Sequence, residues 1–252
     1  MMRLHKSVSN GTVKTMGGPF AIGRWARLFS DYHVLMEGFG VTLLVAACAL
    51  VMAMALGIVF GLCSMSMFRP TKIIARIYVE FFQNTPLIIQ IFFFYNALPY
   101  LGVTMSVISI GIIGVGIYHG AYVSEVVRAG IASIPKGQFE AARSQGFSYL
   151  QSMSFIVLPQ AVKIILPPLV NQAVNLIKNT SVLALIAGGD LMYRADSWAS
   201  NGTLSYGPAY VVTGILYFLL CFPLARWART YEERLKNRDH LVVPPEAEEL
   251  TA

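Results

Sequence analysis

The sequence predicts an all-α membrane protein with five membrane-spanning helices. Of its 252 residues, 56% are hydrophobic and 13% are charged, which is about half the charged fraction of a soluble domain, and mean hydropathy is +0.59. No charged residue lies between Glu37 and Arg69 or between Glu80 and Glu125. About 20 apolar residues cross the hydrocarbon core as a helix, so the first gap accommodates one span and the second accommodates two. These observations exclude an ordinary soluble globular protein.

The net charge of +6 indicates membrane topology rather than nucleic-acid binding. Basic residues lie mostly in short segments between the apolar runs, where orientation and lipid headgroups explain them, and no nucleic-acid-binding module accompanies them. The three cysteines, Cys48, Cys63 and Cys221, lie inside apolar runs without short spacing. They therefore indicate packing positions and not a disulfide framework or a metal site.

Residues 1–37 are predicted to be an extracytoplasmic tail followed by an interfacial helix. The tail is polar up to Gly18, and the first long apolar run, which begins near Phe39, is too long for a signal peptide. Between Phe20 and Met36 apolar residues recur every three or four positions, which predicts an amphipathic helix in the membrane interface. An ordinary helical lead-in to the first span is the alternative.

The five spans are predicted from apolar runs, and their orientation from the basic residues beside them. The spans are Phe39–Met65, Pro86–Leu101, Met105–Val127, Ile156–Leu185 and Ala209–Ala225. Basic residues follow the first, third and fifth spans, namely Arg69, Lys72 and Arg76, then Arg128, Lys136 and Arg143, then Arg226 and those after it. The positive-inside rule places these segments in the cytoplasm and the N-terminus outside. Five basic residues before the first span oppose this orientation: Arg3, Lys6, Lys14, Arg24 and Arg27.

The positive-inside orientation also places the C-terminal tail, 229–252, in the cytoplasm. Its acidic end at 242–252 is predicted to be disordered.

The segment between the third and fourth spans is the most informative part of the chain. Between Gly137 and Gly146 the residues Phe-Glu-Ala-Ala-Arg favour a helix, which the second glycine is suited to end. A second short helix is predicted at 147–155. The two form a compact cytoplasmic hairpin that exposes Glu140 and the small residues Ala141 and Ala142, so another backbone can come close.

This segment resembles the EAA loop of ABC importer permeases. The matching pattern is Glu140-Ala141-Ala142, three residues, Gly146, nine residues, Ile156, one residue and Leu158-Pro159. Residues 80–90, 121–130 and 175–182 resemble further parts of permeases of the polar amino-acid uptake family. The resemblance covers about residues 29–235. It departs from many relatives at Gln83-Asn84, which leaves the substrate subgroup open.

The resemblance implies the type I ABC importer permease fold, with a transmembrane domain at 38–228 and a coupling loop at about 128–159. It implies a multi-pass protein of the bacterial cytoplasmic membrane, partnered by a second permease copy or paralogue, an extracytoplasmic solute-binding protein and an ATPase dimer. The implied coupling residues are Glu140, Ala141, Ala142, Gly146, Leu158 and Pro159. The chain contains no G-x-x-x-x-G-K-[ST] sequence. ATP and magnesium are therefore expected on the partner ATPase, and no catalytic residue, cofactor or metal is expected on this chain.

A polar stripe in the fourth span supplies the main candidates for a substrate pathway. Asn171, Asn175 and Lys178 stand at i, i+4 and i+7, so they share a helical face that is unfavourable toward lipid. Lys178 has three possible roles: it belongs to a functional site, it pairs with a carbonyl or an acidic group that stabilises the fold, or its aliphatic stem extends to bring the charge to the outer surface. Pro167-Pro168 are expected to kink or interrupt the helix. The candidate pathway residues are Asn84, Thr85, Gln90, Asn171, Asn175, Lys178, Asn179 and Thr180. For those in the second span, hydrogen bonding between helices is the alternative.

Other residues in the spans have simpler interpretations. His119 is predicted to be a packing residue and not a proton relay. Glu125 and Arg128 are predicted to form a local ion pair. Gly57 and Gly61 form a face of small residues that allows close helix packing.

The leading hypothesis is the permease subunit of an ATP-driven importer of a polar amino acid, with glutamine or glutamate favoured by resemblance. Lys178 suits a carboxylate, either the α-carboxylate or an acidic side chain, and no residue decides between them. The alternatives are an ABC permease for another small solute and a secondary transporter that uses His119, Glu125 and Lys178 as ion groups. The chain has no detectable inverted repeat, which weighs against the secondary transporter. A membrane enzyme lacks the required nucleophile–base pair or metal ligands.

Overall fold

A computed structural model of the chain describes residues 18–201 and 205–240, and this part is built from α-helices without strands. The helices are α1 Ile22–Ser30, α2 Tyr32–Met65, α3 Arg69–Gln83, α4 Leu87–Phe92, α5 Val107–Ala132, α6 Lys136–Ser144, α7 Tyr149–Ser152, α8 Leu158–Asn179, α9 Leu191–Ser200 and α10 Tyr206–His240. Four apolar helical stretches in it are long enough to cross a membrane, at Tyr32–Met65, Val107–Ala132, Tyr149–Ile186 and Tyr206–Leu235. A fifth span arises if α3 and the stretch after it count together. The predicted all-α membrane fold is confirmed.

Helix α3 and the helical stretch after it form a bent pair, and the predicted second span included only the second member of this pair. Helix α3 and the helical stretch Leu87–Leu101 are bent by 97° relative to each other. Asn84 closes α3, because its backbone N–H donates to Glu80 O at 3.2 Å. Pro86 follows two residues later, and the residue before a proline disfavours the helical conformation. The basic segment after the first span is therefore a helix in its own right, which the charge pattern did not reveal.

Helices α2 and α5 form the most extensive helix–helix contact in the described part of the chain, and Gly57 and Gly61 lie at it. A Cβ added at Gly57 would lie 2.2 Å from Val123 Cγ1, and one added at Gly61 would lie 2.8 Å from Val127 Cβ. The predicted small-residue face is confirmed. The close approach lets the two helices support a buried core that includes Val45 and Val115.

Replacing Gly57 by alanine is expected to destabilise the fold. The new methyl group overlaps Val123, whose branched Cβ cannot rotate away, so α2 must move from α5. Overpacking of this kind costs about 1–3 kcal/mol in unfolding free energy. Thermal unfolding in detergent provides the measurement.

Gly40→Ala is the matched control on the same helix. No atom lies within 4 Å of a Cβ added at Gly40. Alanine there keeps the packing and gains up to about 1 kcal/mol of helix propensity. Equal unfolding temperatures for the two variants would contradict the contact at Gly57.

Pro167-Pro168 do not interrupt the helix, since α8 continues through both prolines, and the alternative expectation of a kink stays a prediction. Each proline removes one backbone N–H donor from the helix. Pro167 is buried, and its packing against neighbouring residues keeps the backbone helical. The irregular turns lie at the two ends of α8 instead. A π-helical turn, Met153–Val157, joins α7 to α8, and a 3₁₀ segment, Thr180–Ile186, follows Asn179.

The predicted interfacial helix at residues 20–36 is divided at Asp31. Its first half is α1, which buries Leu28, and its second half is the beginning of α2. Asp31 Oδ2 accepts a hydrogen bond of 2.9 Å from Trp198 Nε1, which fixes the turn against α9. The predicted polar tail before residue 18 and the predicted disordered end, 242–252, lie outside the described residues.

Candidate functional site

A polar cavity of about 450 Å³ lies between α5 and α8. Its lining residues are Tyr118, His119, Tyr122, Gln172, Asn175, Lys178 and Asn179. The α5 residues follow one another at helical spacing on the side that faces α8, and the α8 residues lie within two turns of its C-terminal end. Three of the predicted pathway residues, Asn175, Lys178 and Asn179, therefore meet in one place.

Hydrogen bonds across the cavity fix the orientation of two lining side chains. The Asn179 Nδ2 amide lies 3.0 Å from His119 Nε2, so the amide donates and the ring accepts. His119 is 2% exposed, and its Nδ1 has no hydrogen-bond partner among the residues described. On α5 the Tyr118 and Tyr122 hydroxyls lie 3.1 Å apart. His119 is buried as predicted, and it also lines a cavity, which its identity as an isolated histidine did not reveal.

Lys178 lies between this cavity and a second one of about 340 Å³. The second cavity lies between α8 and α10 and includes Tyr210, Thr213 and Tyr217. Within the described part of the chain, Lys178 forms no ion pair, and neither cavity is lined by a carboxylate. A structural ion pair therefore does not explain this lysine.

The polar stripe of α8 faces outward from the single chain. Asn171, Asn175 and Lys178 are all exposed, as their i, i+4 and i+7 spacing predicts for one face. Asn171 lies one turn from Asn175 and does not line the cavity. An exposed polar stripe within a span is unfavourable in contact with lipid.

The other four predicted pathway residues do not line the cavity. Asn84 Nδ2 donates to Glu80 O at 2.7 Å and Thr85 Oγ1 donates to Phe81 O at 2.7 Å, so both close the end of α3. Gln90 is buried, and its Nε2 donates to Phe82 O and Thr85 O across the bend. Buried Thr180 donates to Ile177 O at 2.7 Å. Their side chains satisfy backbone carbonyls at helix ends, which the pattern of polar residues alone did not indicate.

A buried carboxyl group at the start of α9 was missed by the sequence interpretation. Asp190 caps this helix, since its Oδ2 accepts from Met192 N at 3.0 Å, and Leu191 N donates to Thr42 Oγ1 on α2. Burial raises the pKa of Asp190 to about 6. An aspartate directly before a helix is a typical N-cap, and this was the available signal.

The helical hairpin between α5 and α8 forms as predicted. Helix α6 ends before Gly146, which has a φ of 84° and suits glycine. Phe147 N then donates to Ala142 O at 3.1 Å, and the Phe139 and Tyr149 rings pack at 5.4 Å between centroids. The predicted second helix is shorter than expected, because α7 covers only Tyr149–Ser152 before the π-helical turn.

The two faces of α6 differ in exposure. Glu140 and Ala141 are exposed, whereas Ala142 is 3% exposed and packs against the chain's own fold. The prediction that Ala142 is open to another backbone was therefore wrong, since α6 needs one side to hold it on the bundle. Leu158 and Pro159 form the first turn of α8, where a proline requires no backbone donor.

Comparison with known proteins identifies the family. Residues 53–237 match the family described as binding-protein-dependent transport system inner membrane component. The chain belongs to this family. As a member of the permease family it is a multi-pass membrane protein, in agreement with its apolar helices.

Individual relatives confirm the resemblance to permeases of polar amino-acid uptake. The chain is 42% identical over 210 residues to the probable glutamine ABC transporter permease protein GlnM of Bacillus subtilis, covering 83% of this chain and 97% of that one. It is 36% identical over 206 residues to the arginine transport system permease protein ArtQ of the same organism, covering 81% and 94%. These relatives are permease subunits of transporters.

Solved structures show the same architecture. A chain from the crystal structure of an amino acid ABC transporter with histidines matches with a TM-score of 0.78 and 30% identity, covering 83% of this chain and 98% of that chain. A chain of the MetNI methionine ABC transporter matches with a TM-score of 0.57 and 17% identity, covering 79% and 95%, which supports the fold alone. The permease has the type I importer fold.

Proposed function

We propose that this permease forms half of the translocation pore of an ATP-driven importer for a polar amino acid, and that the cavity between α5 and α8 belongs to the substrate pathway. The cavity carries the proposal, because it brings a lysine, a histidine, amides and tyrosine hydroxyls together between two membrane-spanning helices. Polar groups placed within spans are costly, and they typically mark substrate routes.

The chemistry of the cavity favours a substrate with a neutral amide or an acidic side chain. Lys178 supplies a cation for a carboxylate, and the amides of Gln172, Asn175 and Asn179 supply both donors and acceptors. A cationic side chain would lack a carboxylate partner among the lining residues. Glutamine or glutamate fits this arrangement better than arginine, and one relative is a probable glutamine permease.

The exposed stripe of α8 supports assembly with a second permease, either another copy or a paralogue. Asn171, Asn175 and Lys178 lie on one open face. A second subunit would cover this face and exclude lipid from it, so the pathway would lie between two chains. An extracytoplasmic solute-binding protein would then deliver the substrate to the outer end.

Helix α6 supports coupling to a separate ATPase, which would carry ATP and magnesium. Its exposed side, with Glu140 at its centre, projects from the bundle between α5 and α8. A docked helix would transmit motion of the ATPase to α5 and α8, which line the cavity. This arrangement requires α6 and the C-terminal end of α10 to be cytoplasmic and the N-terminus to be outside, as the basic residues predict.

Reconstitution distinguishes this proposal from a secondary transporter. The permease is co-purified with its ATPase, incorporated into vesicles with the binding protein and supplied with radioactive glutamine. Uptake is expected only with ATP enclosed on the ATPase side, and not with a proton or sodium gradient alone. Uptake driven by a gradient without ATP would reject the ABC mechanism and favour ion coupling.

A further inference from the structure

One cavity in the described part of the permease is separate from the proposed substrate pathway. It has a volume of about 690 Å³ and lies between α3, the end of α2 and the last turns of α5. Its polar lining consists of Ser64, Arg69, Lys72, Arg76, Glu80, Gln83, Ser124, Glu125 and Arg128. None of these residues lines the cavity between α5 and α8. The family resemblance and the proposed transport mechanism assign no role to this space.

The charges around this cavity are unbalanced in favour of cations. Arg76 Nε binds Glu80 Oε1 at 2.7 Å, and Arg128 Nε binds Glu125 Oε2 at 2.9 Å, as predicted for the second pair. Arg69 and Lys72 form no ion pair with the residues that the structure describes. Arg69 and Lys72, on adjacent turns of α3, therefore line the cavity without a carboxylate partner of their own among the described residues.

The opposite side of α3 is apolar and exposed. Ile74, Ile77 and Phe81 are between 59% and 63% exposed, and Ile73 lines the cavity while also being 57% exposed. Helix α3 starts four residues after α2 ends, at the end of the bundle where α5 also ends. A helix with basic residues on one face and large apolar residues on the other is typical of the boundary between headgroups and acyl chains.

We infer that this cavity binds an anionic phospholipid through its phosphate. Arg69 and Lys72 would bind the phosphate oxygens, since a guanidinium matches them with paired donors and a lysine adds a point charge. The acyl chains would follow the exposed isoleucines of α3. A volume of about 690 Å³ accommodates a headgroup, and basic pockets between spans at the cytoplasmic side bind such headgroups in membrane proteins.

Native mass spectrometry of the full-length protein in detergent, after removal of bound lipid, tests this assignment. Phosphatidylglycerol is titrated against phosphatidylcholine with the same acyl chains. Phosphatidylglycerol is expected to bind about tenfold more tightly, and the double variant R69Q/K72Q is expected to lose about tenfold of that affinity. The charge-preserving variant R69K/K72R is expected to retain binding, which separates loss of charge from disruption of α3.

The double variant R226Q/R229Q is the matched control, because both arginines are exposed on α10 and neither lines the cavity. It is expected to bind phosphatidylglycerol with wild-type affinity. Equal losses in the two glutamine variants, or equal affinity for both lipids, would overturn the site. Displacement of the lipid by inorganic phosphate at physiological salt would show a free-anion site and overturn the assignment to phospholipid.

Discussion

Replacement of Glu140 by lysine is expected to reduce ATP-driven uptake by about tenfold or more. Glu140 is exposed at the centre of α6, and its side chain makes no hydrogen bond within the described part of the chain. If α6 docks into an ATPase, this carboxylate enters the interface, where reversing a charge costs several kcal/mol. The measurements are uptake in vesicles and the amount of ATPase that co-purifies with the permease.

Glu233→Lys is the matched control for this variant. Glu233 is also an exposed glutamate, and it lies on α10 instead of α6. It is expected to leave uptake and ATPase association unchanged, while both variants insert into the membrane like the wild type. If Glu140→Lys retained full ATP-driven uptake, the assignment of α6 as the coupling helix would be rejected.

Replacement of Lys178 by methionine is expected to raise the substrate concentration for half-maximal uptake by about 10–100-fold. Methionine approximates the length of lysine and removes the charge, so a substrate carboxylate loses a charge-assisted hydrogen bond worth about 1.5–3 kcal/mol. Uptake of glutamine and glutamate at a series of concentrations is the measurement. A larger loss for glutamate would indicate that Lys178 binds the side chain rather than the α-carboxylate.

Two further variants make the interpretation of Lys178 specific. Lys163→Met removes a lysine from the same helix at an exposed position that lines neither cavity, and it is expected to retain normal uptake. Lys178→Arg keeps the charge and is expected to recover most of the affinity. Unchanged half-maximal uptake in Lys178→Met would remove this lysine from the substrate pathway.

The features that depend on local sequence were predictable from residues alone. The apolar runs and clustered charges predicted the spans, because burial in lipid depends mainly on composition over a window. Gly146 predicted the end of α6, since a backbone with positive φ selects glycine. The glycines at 57 and 61 predicted a close helix contact, because their spacing places both on one face, and the structure supplied α5 as the partner.

Several site features were not predictable in this way. Tyr118, Tyr122 and Gln172 were overlooked, because each is an ordinary residue whose position in the cavity depends on how α5 faces α8. Gln90 was a pathway candidate with hydrogen bonding between helices as the alternative, and the structure shows its amide donating to two backbone carbonyls across the bend after α3. Side-chain partners of this kind lie on neighbouring turns or on other helices, and periodicity contains no information about the angle between segments.

By itself, the sequence determined that this protein is a helical membrane protein of the permease type with a short helical segment between two spans, because hydropathy, charge clustering and a spaced loop pattern are local properties of the chain. Only the tertiary structure decided which polar groups share a cavity and which merely cap a helix. In the tertiary structure Lys178 and Asn179 line the same cavity as His119, which lies 60 residues from Asn179 in the chain. The basic segment after the first span, which forms the start of α3, lines a separate cavity. Both outcomes depend on the packing of α3, α5 and α8, which is set by contacts between residues far apart in sequence.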